Sequence, residues 1–235
     1  MKPGRRARTN SVAKRPAMTE FLDLFPTKFV RRQLPDYEEP TRDLIKLVRE
    51  MEKGNKALTT DYRENNPLEY DRAGPNWLRG EINQTVIAYL QEIGIDYPVN
   101  WQIHAWTNIN RQGDYHDPHN HPHAYLSGTY YLKMPGEGAK KRQRSDVRPN
   151  CITFYDPRTG FNMSSIRNDP YVDPEFTVLP EPGLLMMWPA AMMQPVPSGS
   201  DVTDGAVRAE GSFGAGFRID LWPDREDTDG CAHRQ

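Results

Sequence analysis

The stretch HDPHNHPHAYLSGTYYL, residues 116–132, holds four of the chain's six histidines and runs straight into an aromatic segment. His119 and His121 are two positions apart. On extended backbone, side chains at i and i+2 leave the same face, so both imidazoles would converge on one point. Two same-face imidazoles at a strand edge suit a divalent metal, nitrogen donors favouring iron, zinc, copper or nickel. An exposed histidine-rich turn satisfies the same spacing. Pro118 and Pro122 fit either reading, since proline stiffens a site and also marks ordinary loops. His123, Ser127, Thr129 and Tyr131 continue the parity unless a bulge intervenes.

Outward from this stretch the texture is of short strands. WQIHAWTNI (101–109) alternates: Trp101, Ile103, Ala105, Thr107 and Ile109 share one face, and Gln102, His104, Trp106 and Asn108 the other. YLSGTYYLK (125–133), CITFY (151–155), GLLMMW (183–188) and GFRIDLW (216–222) read as further strands, with Pro135-Gly136 and Pro182-Gly183 as turn signals. Upstream the period is helical. Leu44, Leu47, Val48 and Met51 form one apolar stripe, Ile82, Val86, Tyr89, Leu90 and Ile93 a second, and Gly94 stops the second helix. Between them, residues 59–76 are polar and turn-rich, a long loop of the kind that covers sites.

Helices first and short strands afterwards predict an α+β, mainly β chain: a helical layer on an antiparallel double sheet, a jelly roll. The expected division is a basic tail over 1–17, a helical and loop part of the same domain over 18–100, the β core over 101–223 and a tail over 224–235.

Composition narrows the function. A formal net charge of −2 offers no bulk attraction to nucleic acid, and none is expected as a partner. Cys151 and Cys231, without a CxxC, fit a reducing, cytoplasmic setting with neither disulfide framework nor thiolate zinc. No apolar run approaches the roughly 20 residues of a membrane helix. The basic run in residues 136–150 reads as a solvated hairpin tip, or as an attractor of anions if it overhangs the barrel mouth.

Taken together, WTNINRQGDYHDPHNHPHAYLSGTYYLKMP, ITFYDPR and PGLLMMWPAAMMQPVPSG resemble the bacterial and phage 2-oxoglutarate–iron(II) oxygenases. That pattern has an H-x-H-P stretch entering S-G-x-Y-Y, an F-x-D-P-R strand, then P-G, a short apolar strand, F-P-S-x-x-x-H-x-V and an Arg-led last strand. The likeness runs from about Leu24 to Trp222. It implies a double-stranded β-helix holding iron(II) and 2-oxoglutarate, and an O2-dependent oxidation of a small-molecule or peptide-like substrate, usually hydroxylation, with release of succinate and CO2. It matches His119 and His121 to the paired ligands. At the distal histidine position it places Gln194, an amide and a weaker donor. Three readings follow: Gln194 is a true third ligand, or His116, His123 or His104 substitutes, or activity is lost and the fold kept.

The resemblance also assigns the cosubstrate's distal carboxylate to Arg208, with Ser212 and Phe213 following as the pattern asks and Glu210 departing from it. Arg218 shares the parity of Arg208 and is the alternative. Tyr131 and Asn108 are placed by parity beside the cosubstrate, and Trp106, His104 and Arg158 in the substrate pocket; Arg158 equally caps a turn through Asp156. A catalytically silent binding protein and a cupin-type dioxygenase without 2-oxoglutarate stay open as alternatives, as does a homodimer.

Overall fold

The computed structural model describes residues 26–54, 66–110, 116–134, 151–156, 175–196 and 212–223. Two helices lie on one side of a five-stranded antiparallel sheet, and shorter strand pairs lie on the other. The strands are β1 (Val30–Gln33), β2 (Val99–Asn110), β3 (His116–His119), β4 (Leu126–Lys133), β5 (Ile152–Tyr155), β6 (Glu175–Val178), β7 (Leu184–Pro189), β8 (Gln194–Val196) and β9 (Ser212–Pro223). The large sheet runs β1-β7-β4-β9-β2. The pairs β3-β8 and β5-β6 form the facing layer, and a bridge between Tyr155 and Met193 joins them. This is the jelly roll that the strand pattern predicted. Its large sheet, however, takes an edge strand, β1, from the N-terminal part.

Helix α1 (Glu38–Gly54) and helix α2 (Ala73–Glu92) bury the predicted stripes. Glu38 and Glu39 in the first turn of α1, and Lys53 in its last, complement the helix dipole. The start of α2 has no side-chain cap of its own. Asp43 of α1 supplies it, accepting from the Gly74 amide at 2.9 Å and from Arg72 Nη2 at 2.6 Å. The Gly74 hydrogen bond, helped by Arg72, holds the Asp43 carboxyl below its usual range. Gly94, at φ 81°, ends α2: the Ile95 amide donates to the Leu90 carbonyl and the Gly94 amide to the Gln91 carbonyl, a Schellman closure.

The expected loop over 59–76 is shorter than its composition suggests. Residues 67–69 form a 3-10 turn, α2 already begins at Ala73, and Leu68 packs into the core beneath the helices. Pro75 is tolerated because the amides of a first helical turn need no intrahelical acceptor. The described part of this segment therefore serves the helical core and does not cover the opposite layer.

Alternation sorts the sheet into two cores. Leu126, Tyr130, Leu132, Leu185, Met187, Phe217 and Ile219 face the helices. Leu184, Met186 and Trp188 face the small layer with Ile152, Phe154, Val178 and Met192. Strand β7 is buried on both faces, which explains why LLMMW is apolar without alternation. Gly128, the glycine of S-G-x-Y-Y, is required by packing: a Cβ there would strike the Phe217 ring and lie 2.6 Å from the Met186 carbonyl oxygen. Gly128→Ala is expected to cost about 1–3 kcal/mol by overpacking, read as a lower midpoint in denaturant unfolding.

Candidate active site

The inner face of the large sheet carries the polar side chains. Register fixes their rows. His104 of β2 pairs with Arg218 of β9, which pairs with Ser127 of β4, which pairs with Trp188 of β7. The next row is Trp106, Gly216, Thr129 and Met186; the one beyond places Asn108 opposite Gly214, and Gly214 opposite Tyr131. The expected shared face of His104, Trp106 and Asn108 is present, and Tyr131 points inward with Ser127 and Thr129. Burial drives the Tyr131 hydroxyl's pKa up, against a hydrogen bond to Thr129 that opposes the rise.

His119 and Gln194 are direct cross-strand partners in the β3-β8 pair. His121 does not lie on the same strand as His119, as the i, i+2 spacing predicted. Strand β3 has a register shift and ends at His119, and a turn follows with His123 at φ 70° and Pro122 beside it, which no straight strand accommodates. The parity therefore breaks before His123. His121 is held instead by its amide, which donates to the Ala190 carbonyl at 3.1 Å. The two rings still meet, with centroids 5.2 Å apart and nearly perpendicular.

Each imidazole can present a ring nitrogen to a metal. His119 Nδ1 lies 2.7 Å from the Asp117 carbonyl oxygen; donating there leaves Nε2 with its lone pair. Burial, with electrostatic contributions from His119 and Arg218 adding to it, drives His121 down to about 4, so its ring is uncharged at neutral pH. Trp106 lies across the position of Gly216, where a Cβ would meet the indole at 2.5 Å, and its ring centroid is 5.3 Å from that of His121. Gln194 is 6% exposed and its Nε2 lies 3.1 Å from His121 Nε2. With the amide N–H donating to the unprotonated ring nitrogen, Oε1 is buried and has no hydrogen-bond partner. A 180° turn of the amide would exchange the two atoms.

This donor set fits a divalent metal of the iron type: two imidazole rings and one buried amide oxygen that lacks a partner. Among the described residues no group of three or more His, Cys, Asp or Glu side chains is gathered for a metal. A substitute third imidazole is therefore not found. His116 Nε2 is bonded to Asn110 Oδ1 at 2.9 Å, His123 is exposed in its turn, and His104 Nε2 faces Asp220 Oδ2 at 3.3 Å.

Residues 104–203 match the family described as "Putative 2OG-Fe(II) oxygenase". This segment is similar to the 2-oxoglutarate–iron(II) oxygenases. It contains His119, His121, Gln194, Trp106 and Asn108. A prolyl-4-hydroxylase of Pseudomonas putida is similar in fold, with TM-score 0.50 and 12% identity over 82% of this chain and 86% of that one. AviO1 of Streptomyces viridochromogenes Tue57 matches at TM-score 0.46 and 14% identity, over 85% and 90%. No curated protein sequence matches the chain.

Within the oxygenase segment and β9, three residues of the inner face escaped the sequence reading as site residues. Ser127 shares the histidines' parity but carries no further signal, and Asp220 shares the face of Arg218 two residues before it. Trp188 was hidden by the unbroken apolar run of β7. Arg208 and Arg158 lie outside the described residues, as do the basic run in 136–150 and both tails. No helix among the described residues is long and apolar enough to cross a membrane.

Proposed function

We propose that the chain is an iron(II)- and 2-oxoglutarate-dependent oxygenase in which His119, His121 and Gln194 hold the metal. When bound, the metal and cosubstrate supply the O2-driven oxidation of a small-molecule or peptide-like substrate, with succinate and CO2 as by-products. The observation that carries this reading is the buried, unpartnered Oε1 of Gln194, whose amide nitrogen lies against the uncharged His121 ring. A buried acceptor left unpaired costs about 1–3 kcal/mol, a penalty a bound cation would relieve. The Asp117 carbonyl fixes the ring of His119, and the Ala190 carbonyl tethers the backbone of His121. Trp106 walls the site on the β2 side and keeps bulk water from His121.

The cosubstrate's distal carboxylate needs a cation, and a guanidinium fork suits it best. We assign it to Arg218, the alternative to Arg208, because Arg218 sits on the inner face and is close enough to His121 to lower its basicity. Tyr131 and Asn108, whose Oδ1 is buried and unpartnered, line the same interior.

Because an amide binds iron(II) less strongly than imidazole, weak metal binding and slow turnover are expected. Gln194→His should tighten iron affinity by at least about 1.4 kcal/mol, tenfold, and raise 2-oxoglutarate consumption. The measurement is iron titration under anaerobic conditions, then succinate release on adding oxygen. No gain in iron affinity would mean that Gln194 does not face the metal. Tighter binding with slower turnover would identify the glutamine as part of a working, modified site.

A further inference from the structure

Four buried polar atoms without hydrogen-bond partners gather at one end of the inner face: Arg218 Nε, Asp220 Oδ1, Ser127 Oγ and Trp188 Nε1. Arg218, Ser127 and Trp188 occupy one cross-strand row. The guanidinium and the indole can only donate, whereas the hydroxyl can donate or accept, so the row is richer in donors than in acceptors. A charged acceptor lies on the same strand. Asp220 lies two residues beyond Arg218, its Oδ1 is 3.8 Å from Arg218 Nε, and its Oδ2 is 3.3 Å from His104 Nε2. At 3.8 Å the carboxylate is too far to hydrogen-bond the arginine, yet close enough to offset much of its charge in a partly closed site. Asp220 therefore does little to aim the guanidinium and much to neutralise it.

We propose that Asp220 is a specificity-determining residue that weakens the site's hold on dicarboxylic 2-oxo acids. The inference rests on Arg218 holding the distal carboxylate, as proposed above. A ligand with a second carboxylate brings a negative charge to an arginine that already has one beside it, and like charges set close together are costly. A 2-oxo acid with no second carboxylate escapes that cost. The residue thus narrows the preference for 2-oxoglutarate over short monocarboxylic 2-oxo acids, and His104, on the far oxygen of Asp220, keeps the carboxylate in place.

The test is binding rather than turnover: titration of 2-oxoglutarate and of pyruvate into iron(II)-loaded protein without oxygen, for wild type, Asp220→Asn, Arg218→Met and the double variant. Asp220→Asn should tighten 2-oxoglutarate by roughly tenfold, the scale of a removed like-charge contact, and leave pyruvate within about twofold. In the Arg218→Met background the Asp220→Asn change should have no effect, because the two residues act through one contact. Weaker 2-oxoglutarate binding in Asp220→Asn would make the residue a support for Arg218 and overturn the proposal. Equal tightening of both acids would reduce it to a general charge effect, which also overturns it. If Arg218→Met leaves 2-oxoglutarate affinity untouched, the assignment of Arg218 is what fails, and the role of Asp220 falls with it.

Discussion

The His119→Ala/His121→Ala protein should lose at least about a hundredfold in iron(II) affinity, near 2.7 kcal/mol, in an anaerobic calorimetric titration. Two of the three proposed donors vanish, and the third, Gln194, is the weakest and cannot hold the ion alone. The fold should survive. His119 ends β3 and His121 lies in the turn beyond it; neither ring belongs to the two apolar cores that hold the layers together. Far-ultraviolet circular dichroism should therefore match wild type. Tryptophan emission gives a second readout that needs no turnover. Trp106 sits 5.3 Å from the His121 ring, so iron should quench emission in wild type and not in the double variant. Undiminished iron affinity with an unchanged spectrum would place the metal elsewhere and remove the basis of the proposed site.

Legibility from sequence followed the physical origin of each signal. The helices were readable because one face of each is buried and the other wet, so period 3.6 survives in the residues. Strand β2 was readable for the same reason with period two: Ala105 and Ile109 face the helices while His104 and Asn108 face inward. The signal fails where both faces are buried. In β7 nothing distinguishes Met186, inside the barrel, from Met187, beneath the helices, and so Trp188 could not be placed. It fails again where four or fewer residues pair across a long gap, as β1 does with β7 and β3 with β8, because a short strand carries too few alternations to count. The meeting of His119, His121 and Gln194 came from two different mechanisms. Gln194 faces His119 by strand pairing, whereas His121 arrives through a turn that its i+2 spacing did not foretell.

Tyr130 sits on the helix-facing side of β4, fully buried, with its hydroxyl 2.6 Å from Thr41 Oγ1 of α1. Burial pushes the phenol up to about 12, against the Thr41 hydrogen bond, which favours ionisation slightly. An unfolded tyrosine titrates near 10. Below pH 10 both states keep the proton and the stability is fully present. Between about 10 and 12 the unfolded chain releases it while the folded chain holds it, so stability falls by up to about 1.4 kcal/mol per pH unit at this group. Burial also raises Tyr89, to about 12, and Tyr131, so alkaline denaturation should remove several kcal/mol in total, on the order of 1 kcal/mol per buried group per pH unit. Tyr130→Phe isolates one member. At pH 8 it should cost about 1–2 kcal/mol, because the buried Thr41 hydroxyl loses its partner across the helix–sheet boundary. At pH 11 the phenylalanine protein has no proton to lose at this position, whereas wild type pays for keeping one. The other tyrosines are common to both proteins and cancel. The gap between the two in denaturant unfolding should therefore shrink by about 1 kcal/mol from pH 8 to pH 11. A constant gap would mean that the Tyr130 hydroxyl ionises as readily in the folded chain as in the unfolded one, and that α1 does not seal this part of the sheet from water.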